Sequence, residues 1–437
     1  MRMSDSPVEP LACPDVSVII GAYEAMPYLV KCLDSVEAQT LGPERIEIVA
    51  VDDGSTDGTG KHLEDFAART PVPMRVVHQP NSGGPGGPRN NGLVMARGRY
   101  VFFLDADDFL GEEALELMVA MGDRAGTDVV LGKVAGVNRN VAMSMWAQTV
   151  ERADIYRSNV KFTLSAQKLF RRELLVRHRM RFDESLRTGE DALFTMEAYL
   201  RGAGVSVVAD RTCYYLVGRE DGKHLTKTVG YEPRFESAGA LMRLIAAHVP
   251  AGRRRDQLMV RPFKVTLLPQ FGPIVLRQPE EYLRHKMDLA APLMAAYWTP
   301  GVARRLRTEE RLRLTCAGLG RPDLLRDVLA FGSAGSHPEL VRRGSRDYLA
   351  YPHFDDPAAG VPASAYAVTV TERIGGRRIE PRLPLPGRAA RQVYRFGRRV
   401  AGGLSRRLPR ALVRGLPHAL AGRLAGVARA LRAVSSG

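Results

Sequence analysis

YVFFLDADD, residues 100 to 108, sets five apolar or aromatic side chains directly ahead of three carboxylates, Asp105, Asp107 and Asp108. A short continuous apolar run bounded by polar residues reads as a buried strand. Two acids about 4 Å apart repel by roughly 4 kcal/mol at an effective dielectric near 20. A strand that ends on such a cluster therefore asks what cation makes it favourable. Hard divalent ions such as Mg²⁺ or Mn²⁺ answer that need, because they take oxygen ligands and complete their shell with diphosphate oxygens.

Working outward, the chain alternates strand and helix. VSVII (16–20) precedes a helical pattern over Pro27–Gln39, and IEIVAVDD (46–53) runs through GSTDGTG into a helix near Gly60–Arg69. MRVVHQ (74–79), YVFFLDAD (100–107) and DVVLGKV (128–134) continue the strands. This order predicts an α/β domain with a Rossmann-like, mostly parallel sheet covered by helices on both faces. Ligands bind such sheets outside the carboxyl ends of the strands. The polar clusters Gly21–Tyr23, Asp52–Asp57, Asn81–Asn91 and Asp105–Asp108 all fall at those ends. NSGGPGGPRNNG (81–92) carries too many glycines and prolines for a regular element and is predicted to be a loop. Its backbone can approach a ligand closely, and Arg89 can neutralise phosphate.

Further on, SAQKLFRRELLVRH (165–178) reads as helical, RTGEDALF (187–194) opens a helix over Asp191–Arg201, and VSVVAD (205–210) and TCYYLV (212–217) read as two closing strands. The helix dipole alone accounts for acids at a helix start. An acid on a separate segment from the cation cluster is also where a general base for a hydroxyl would sit. Residues 231 to 331 are mostly helical, and 338–385 holds a strand pair around Gly375–Gly376.

With 45% hydrophobic and 25% charged residues, the 437-residue chain reads as a soluble protein of two or three domains. The four cysteines lie far apart with no CxxC pair, which opposes a zinc site or a disulfide framework and fits a reducing compartment. The opening MRMSDSPVEPLACPD lacks a signal-peptide apolar region, and no run of about 18 apolar residues occurs, so a cytoplasmic protein is expected. The net charge of +15 is concentrated at the end: 13 arginines and no acid lie between Pro381 and Gly437, leaving 50 basic against 48 acidic residues elsewhere. The tail, 386–437, spaces arginines among apolar residues as a helix lying on an anionic membrane face would. Its charge also suits nucleic acid, but no recognition module accompanies it.

Together VSVIIGAYEAMPYL, VDDGSTDGT, NSGGPGGPRN, FLDADD and TGED resemble the family 2 glycosyltransferases over residues 15–225, with the GT-A fold. The loop and the TGED form resemble, more narrowly, the wall teichoic acid glycosyltransferases. The resemblance implies that Asp53 and Tyr23 hold the nucleobase, with Gly21 where the family has a small polar residue. Asn81 and Arg89 would contact base and diphosphate. Asp105 and Asp107 would form the DxD pair for ribose and metal (Mn²⁺ or Mg²⁺), with His224 a further metal candidate. Arg139 and Arg219 would touch the donor, Glu190 the sugar, and Asp191 would be the base.

The implied enzyme is an inverting, metal-dependent transferase that uses a nucleotide-diphosphate sugar, UDP-linked. Its acceptor would be a cell-envelope glycan, a teichoic-acid-like polymer or a lipid-linked glycan at the inner face of the membrane. Related enzymes assemble through C-terminal regions, so a homo-oligomer fits too. The expected divisions are 1–230 (catalytic), 231–335 (helical linker), 336–385 (small β segment) and 386–437 (tail). A nucleotidyltransferase would need a Gly-rich loop and a basic residue after the first strand, and GAYEAMPYL offers neither. A non-catalytic binding scaffold would have no use for both the DxD and the Glu-Asp pair.

Overall fold

The computed structural model describes residues 13–141, 143–219 and 230–382. His224 and the arginine-rich tail lie outside them. Strands β1 (Val16–Ala22), β2 (Ile46–Asp52), β3 (Met74–His78) and β4 (Tyr100–Asp105) alternate with helices α1 (Tyr28–Glu37), α2 (Thr59–Ala67) and α3 (Gly86–Met95). After β4 come β5 (Phe109–Leu110), α4 (Ala114–Ala125), β6 (Val129–Val137), β7 (Leu169–Arg171), α5 (Arg172–Arg177), α6 (Glu190–Arg201) and β8 (Val205–Val217). The eight strands form one sheet in the order β3-β2-β1-β4-β7-β6-β8-β5. Strands β1 to β4 pair in parallel, β7 runs against both β4 and β6, and β6 pairs in parallel with β8.

Alternation along the central strands explains the layers. Tyr100, Phe102 and Leu104 join Val18 and Ile20 in a core beneath α1, α2 and α4. Val101 and Phe103 point the other way, into a core shared with α3, α5 and α6. That second core continues without a break into the helices that follow: α7 (Glu232–His248), α8 (Arg253–Arg261), α9 (Glu280–Tyr297), α10 (Pro300–Ala303), α11 (Thr308–Gly318) and α12 (Pro322–Ser333). The sheet and the helices that follow it are thus welded by apolar packing. Two hairpins, β9 (Glu339–Arg343) with β10 (Arg346–Ala350) and β11 (Glu372–Ile374) with β12 (Arg377–Ile379), close the described chain. Buried Arg311 of α11 ties this last region down by donating to the carbonyls of Ala365 (2.9 Å) and Ala367 and to the Thr369 hydroxyl (2.6 Å).

Four expectations need correcting. The Gly/Pro-rich stretch 81–92 is not all loop, because α3 starts at Gly86. Pro88 sits in the first turn, where a missing N–H costs nothing, and Gly92 is needed because a Cβ there would lie 2.4 Å from Ile19 Cγ2. Within 165–178, Leu169–Arg171 is the short strand β7 rather than helix, since Leu169 and Phe170 are claimed by pairing with β4 and β6. The two closing strands are one 13-residue strand, whose passage through exposed Asp210 and Arg211 is absorbed by register shifts at Lys133. The strand pair around Gly375–Gly376 is shorter than expected, and β9–β10 around Gly344 precedes it.

Candidate active site

The DADD segment is a turn, closed by the Asp108 amide donating to the Asp105 carbonyl at 3.0 Å, so its three carboxylates diverge. Asp108 is turned inward, where it accepts from the Tyr214 hydroxyl (2.6 Å) and the Val217 amide (2.7 Å) and anchors the turn to β8. Burial, followed by the charges of Asp105 and Asp107, pushes its pKa up. Asp107 accepts no hydrogen bond from another described residue. Burial and then the Asp105 charge push its pKa up to about 6, against the pull of Arg219 and Arg139. The charges of those two arginines, far from Asp107 in sequence, act on it. Arg219 also donates to the Glu24 carbonyl (3.2 Å) and stacks over Tyr28.

Asp105 is held from both sides. Its carboxylate accepts from Arg89 Nη2 at 2.7 Å and from Gln167 Nε2 at 2.5 Å. The other side of the same buried guanidinium donates to Glu190 Oε1 at 3.1 Å. Arg89 on α3 thus bridges the end of β4 to the start of α6. An aromatic cluster sets the spacing beneath this bridge. Phe103, two residues before Asp105, meets Phe182 and Phe194 edge-on at 5.0 and 5.6 Å, while Phe182 and Phe194 stack at 4.2 Å. Each such pair adds about 0.5–1.5 kcal/mol beyond its area burial. Asn90 secures the third member by accepting from the Phe182 amide (2.8 Å) and donating to its carbonyl (2.9 Å).

Glu190 and Asp191 open α6 after Gly189. Its φ of +81° favours glycine, and a Cβ there would lie 2.8 Å from that of Ser237. Asp191 is partly buried and caps its own helix through the Ala192 amide (2.6 Å). Burial raises its pKa, opposed by Arg89, then Arg261, then, more weakly, Lys168. Burial and the Asp191 charge likewise raise Glu190. Lys168 is itself buried, its pKa lowered to about 7, and donates to the Ser165 carbonyl (2.5 Å). Gln167, Lys168 and Arg261 escaped sequence reasoning. The first two lay in a stretch read as helix, and Arg261 belongs to α8, seventy positions from Asp191. The buried, unpaired Nε of Arg261 marks it only once the fold is known.

The remaining candidates line the same rim. Buried Asp53 accepts from Gln79 Nε2 (2.6 Å), the Ser82 amide (3.0 Å) and the Ser82 hydroxyl (2.9 Å), so it holds the 79–82 loop across the strand ends. Asn81 closes that loop by accepting from the Gly83 amide (2.8 Å). Tyr23 is half exposed, and Gly21 lies under Pro88, 3.1 Å from where a Cβ would be. Among the described residues no three His, Cys, Asp or Glu side chains surround a common point. Of the turn's carboxylates, Asp107 is the one that accepts no hydrogen bond from another described residue, whereas both oxygens of Asp105 are engaged by Arg89 and Gln167.

A family model described as glycosyl transferase family 2 matches residues 17–181, and one described as glycosyl transferase TarS linker domain matches residues 232–329. The chain is 38% identical over 233 residues to the poly(ribitol-phosphate) beta-glucosyltransferase of Bacillus spizizenii, covering 53% of this chain and 36% of that protein. It is 38% identical over 236 residues to the poly(ribitol-phosphate) beta-N-acetylglucosaminyltransferase TarS of Staphylococcus aureus, covering 53% and 40%. Its structure is similar to that of S. aureus TarS 1–349 in complex with UDP-GlcNAc, with a TM-score of 0.69 and 30% identity over 77% of this chain and 97% of that one. The chain belongs to glycosyltransferase family 2. It spans about two-fifths of the length of these two curated relatives.

Proposed function

We propose that this protein transfers a hexosyl or N-acetylhexosaminyl unit, with inversion, from a UDP-sugar to a ribitol hydroxyl of poly(ribitol phosphate). The observation that carries the reading is the meeting of the Asp105–Asp107 turn and Asp191 on one rim, joined through Arg89 and Glu190. The relatives' names supply the donor and acceptor. Asp53 and Tyr23 would frame the base, with Gly21 leaving room beside Pro88 and Asn81 at the loop edge. Arg139 and Arg219 would face the diphosphate. Arg89 is already given to two carboxylates, so a diphosphate contact would have to share it. Asp191 would take the proton of the attacking hydroxyl, and the new bond forms at the anomeric carbon as the bond to UDP breaks on the opposite face.

The hard-oxygen chemistry of this donor set fits Mn²⁺ or Mg²⁺, which Asp107 and, shared with Arg89 and Gln167, Asp105 would hold and which would supply Lewis-acid stabilisation of the leaving diphosphate. UDP-GlcNAc and UDP-glucose with synthetic poly(ribitol phosphate) test the reading. UDP release should require the divalent ion and fall at least about a hundredfold in Asp107→Ala. Turnover unaffected by chelator or by Asp107→Ala would remove the metal from the scheme, and no transfer with either donor would remove the acceptor.

In this reading 1–230 is catalytic, 231–335 is the linker, 336–385 is a small β segment and 386–437 is the tail. No helix among the described residues is long and apolar enough to cross a membrane. The tail would hold the enzyme to anionic lipid. Deleting 386–437 should lower binding to phosphatidylglycerol vesicles and leave UDP affinity intact; undiminished vesicle binding would discard that role.

A further inference from the structure

A cleft of about 440 Å³ lies at the opposite end of the sheet from the acidic turn. Its walls include Gly204–Val205 at the start of β8, the 153–157 segment and the first turn of α8. Strand β8 runs parallel to β6, and β6, two antiparallel steps from β4, runs in the direction of β4. Val205 is therefore on the amino-terminal rim of the sheet, opposite the carboxyl ends that carry Asp53 and Asp105.

Cations outnumber anions in the cleft. Arg157, Arg253 and Arg254 line it, and the acid among its lining residues is Asp154. The Asp154 carboxylate is engaged by its own turn, accepting from the amides of Tyr156 (2.8 Å) and Arg157 (3.2 Å), with Arg157 Nε 3.7 Å away. Arg253 and Arg254 are exposed and form no ion pair among the described residues; Arg254 rests over the Tyr156 ring at 5.3 Å. Burial lowers the pKa of half-buried Arg305, against the pull of Asp256 in the first turn of α8, and the charges of Arg304 and Arg253 add to the lowering. Both lining arginines of α8 sit in its first turn, where the helix dipole disfavours cations. Two segments far apart in sequence thus converge guanidinium groups that an anion would relieve, and guanidinium forks match phosphate oxygens two at a time.

The geometry points to a phosphodiester of the acceptor polymer as the occupant, an inference that rests on the reading of the acceptor given above. Helix α8 connects the two places. It begins with Arg253 at the cleft and ends with Arg261, whose charge acts on Asp191. At 1.5 Å per residue these ends are about 12 Å apart. A polymer with one phosphate per repeat is gripped at the cleft while a hydroxyl farther along the chain reaches the base. The cleft is then an anchor that favours long acceptors over short ones, and takes no part in chemistry.

The full-length double variant R253A/R254A tests this, with R253K/R254K as the charge-keeping control. The substitutions break no ion pair among the described residues, and the stacking of Arg254 on exposed-side Tyr156 is the contact they give up. With poly(ribitol phosphate) of more than about ten repeats, KM should rise roughly tenfold, the loss of about 1.4 kcal/mol of binding. Expected alongside are an unchanged kcat, an unchanged rate on a single ribitol-phosphate unit and partial rescue by the lysine pair. An unchanged KM for the long polymer, or an equal rise for the single unit, overturns the anchor. Calorimetric titration of the long polymer without donor separates this from the functional reading. If the wild type transfers nothing to ribitol phosphate yet binds it, and the double variant binds it roughly tenfold more weakly, the cleft stands and the acceptor chemistry falls. Equal binding by both proteins overturns the cleft.

Discussion

Asp191→Asn is expected to lower transfer by about 10²–10⁴-fold, the usual contribution of a general base, while leaving UDP affinity within a factor of about two of the wild type. The carboxylate occupies the first turn of α6, across the rim from the Asp105–Asp107 turn, so the donor's diphosphate does not depend on it. Its fold stability should also survive. Burial raises the pKa of Asp191 above its unfolded value, so ionising it costs stability, and that cost appears as pH rises through the folded pKa. Removing the charge should therefore leave Tm unchanged or raised at neutral pH. An inactive variant with an intact Tm and intact UDP binding is the signature of a catalytic group. A variant that loses activity and UDP binding together would reassign Asp191 to donor binding.

The same residue sets the pH dependence. Protonated Asp191 cannot accept a hydroxyl proton, so kcat should climb with pH along a limb centred above the ordinary carboxylate range. Arg261 and Lys168 both oppose the rise of its pKa. Replacing either by methionine should move that limb to higher pH without abolishing the plateau. A purely structural role for these cations would lower Tm and leave the limb in place.

How much of this was legible beforehand follows from the range of the interactions. The strands of the first half were readable because each is a self-contained apolar run, and the rim was readable because parallel sheets put their polar ends together. Asp105 and Asp107 could be singled out because a cluster of acids behind an apolar strand is conspicuous, and Asp191 through the family resemblance. Their partners were not. Gln167 reaches Asp105 from 62 residues away, and Arg89 reaches Glu190 across 101. Nothing local in either segment records that pairing. Strand β7 was missed because three residues cannot establish a period, and its conformation is imposed by neighbours on both sides. The glycines of 81–92 were read as freedom for a loop, whereas Gly92 is small because a helix lies hard against Ile19.

Arg89→Met is expected to have the largest effect on stability. The guanidinium is buried and shared between Asp105 at 2.7 Å and Glu190 at 3.1 Å, and the two acids keep it firmly protonated. Removing one partner of a buried ion pair leaves charge uncompensated and costs about 3–5 kcal/mol. At roughly 2–4 °C per kcal/mol for domains of about 150–250 residues, Tm should fall by about 6–20 °C. Glu190 can escape part of the cost by taking a proton, since burial already favours its neutral form. The double variant R89M/E190Q should then recover a measurable part of the lost Tm, whereas R89K should not match the wild type, because an ammonium cannot present two parallel forks to two carboxylates. Activity divides differently. Without Arg89 the Asp105 carboxylate keeps Gln167 alone among the described residues, so KM for the UDP-sugar should rise in both R89M and the stabilised double variant. Recovery of Tm together with recovery of KM would mean that Arg89 serves the fold alone. Recovery of Tm with KM still raised would place Arg89 as the residue that positions Asp105 for the donor.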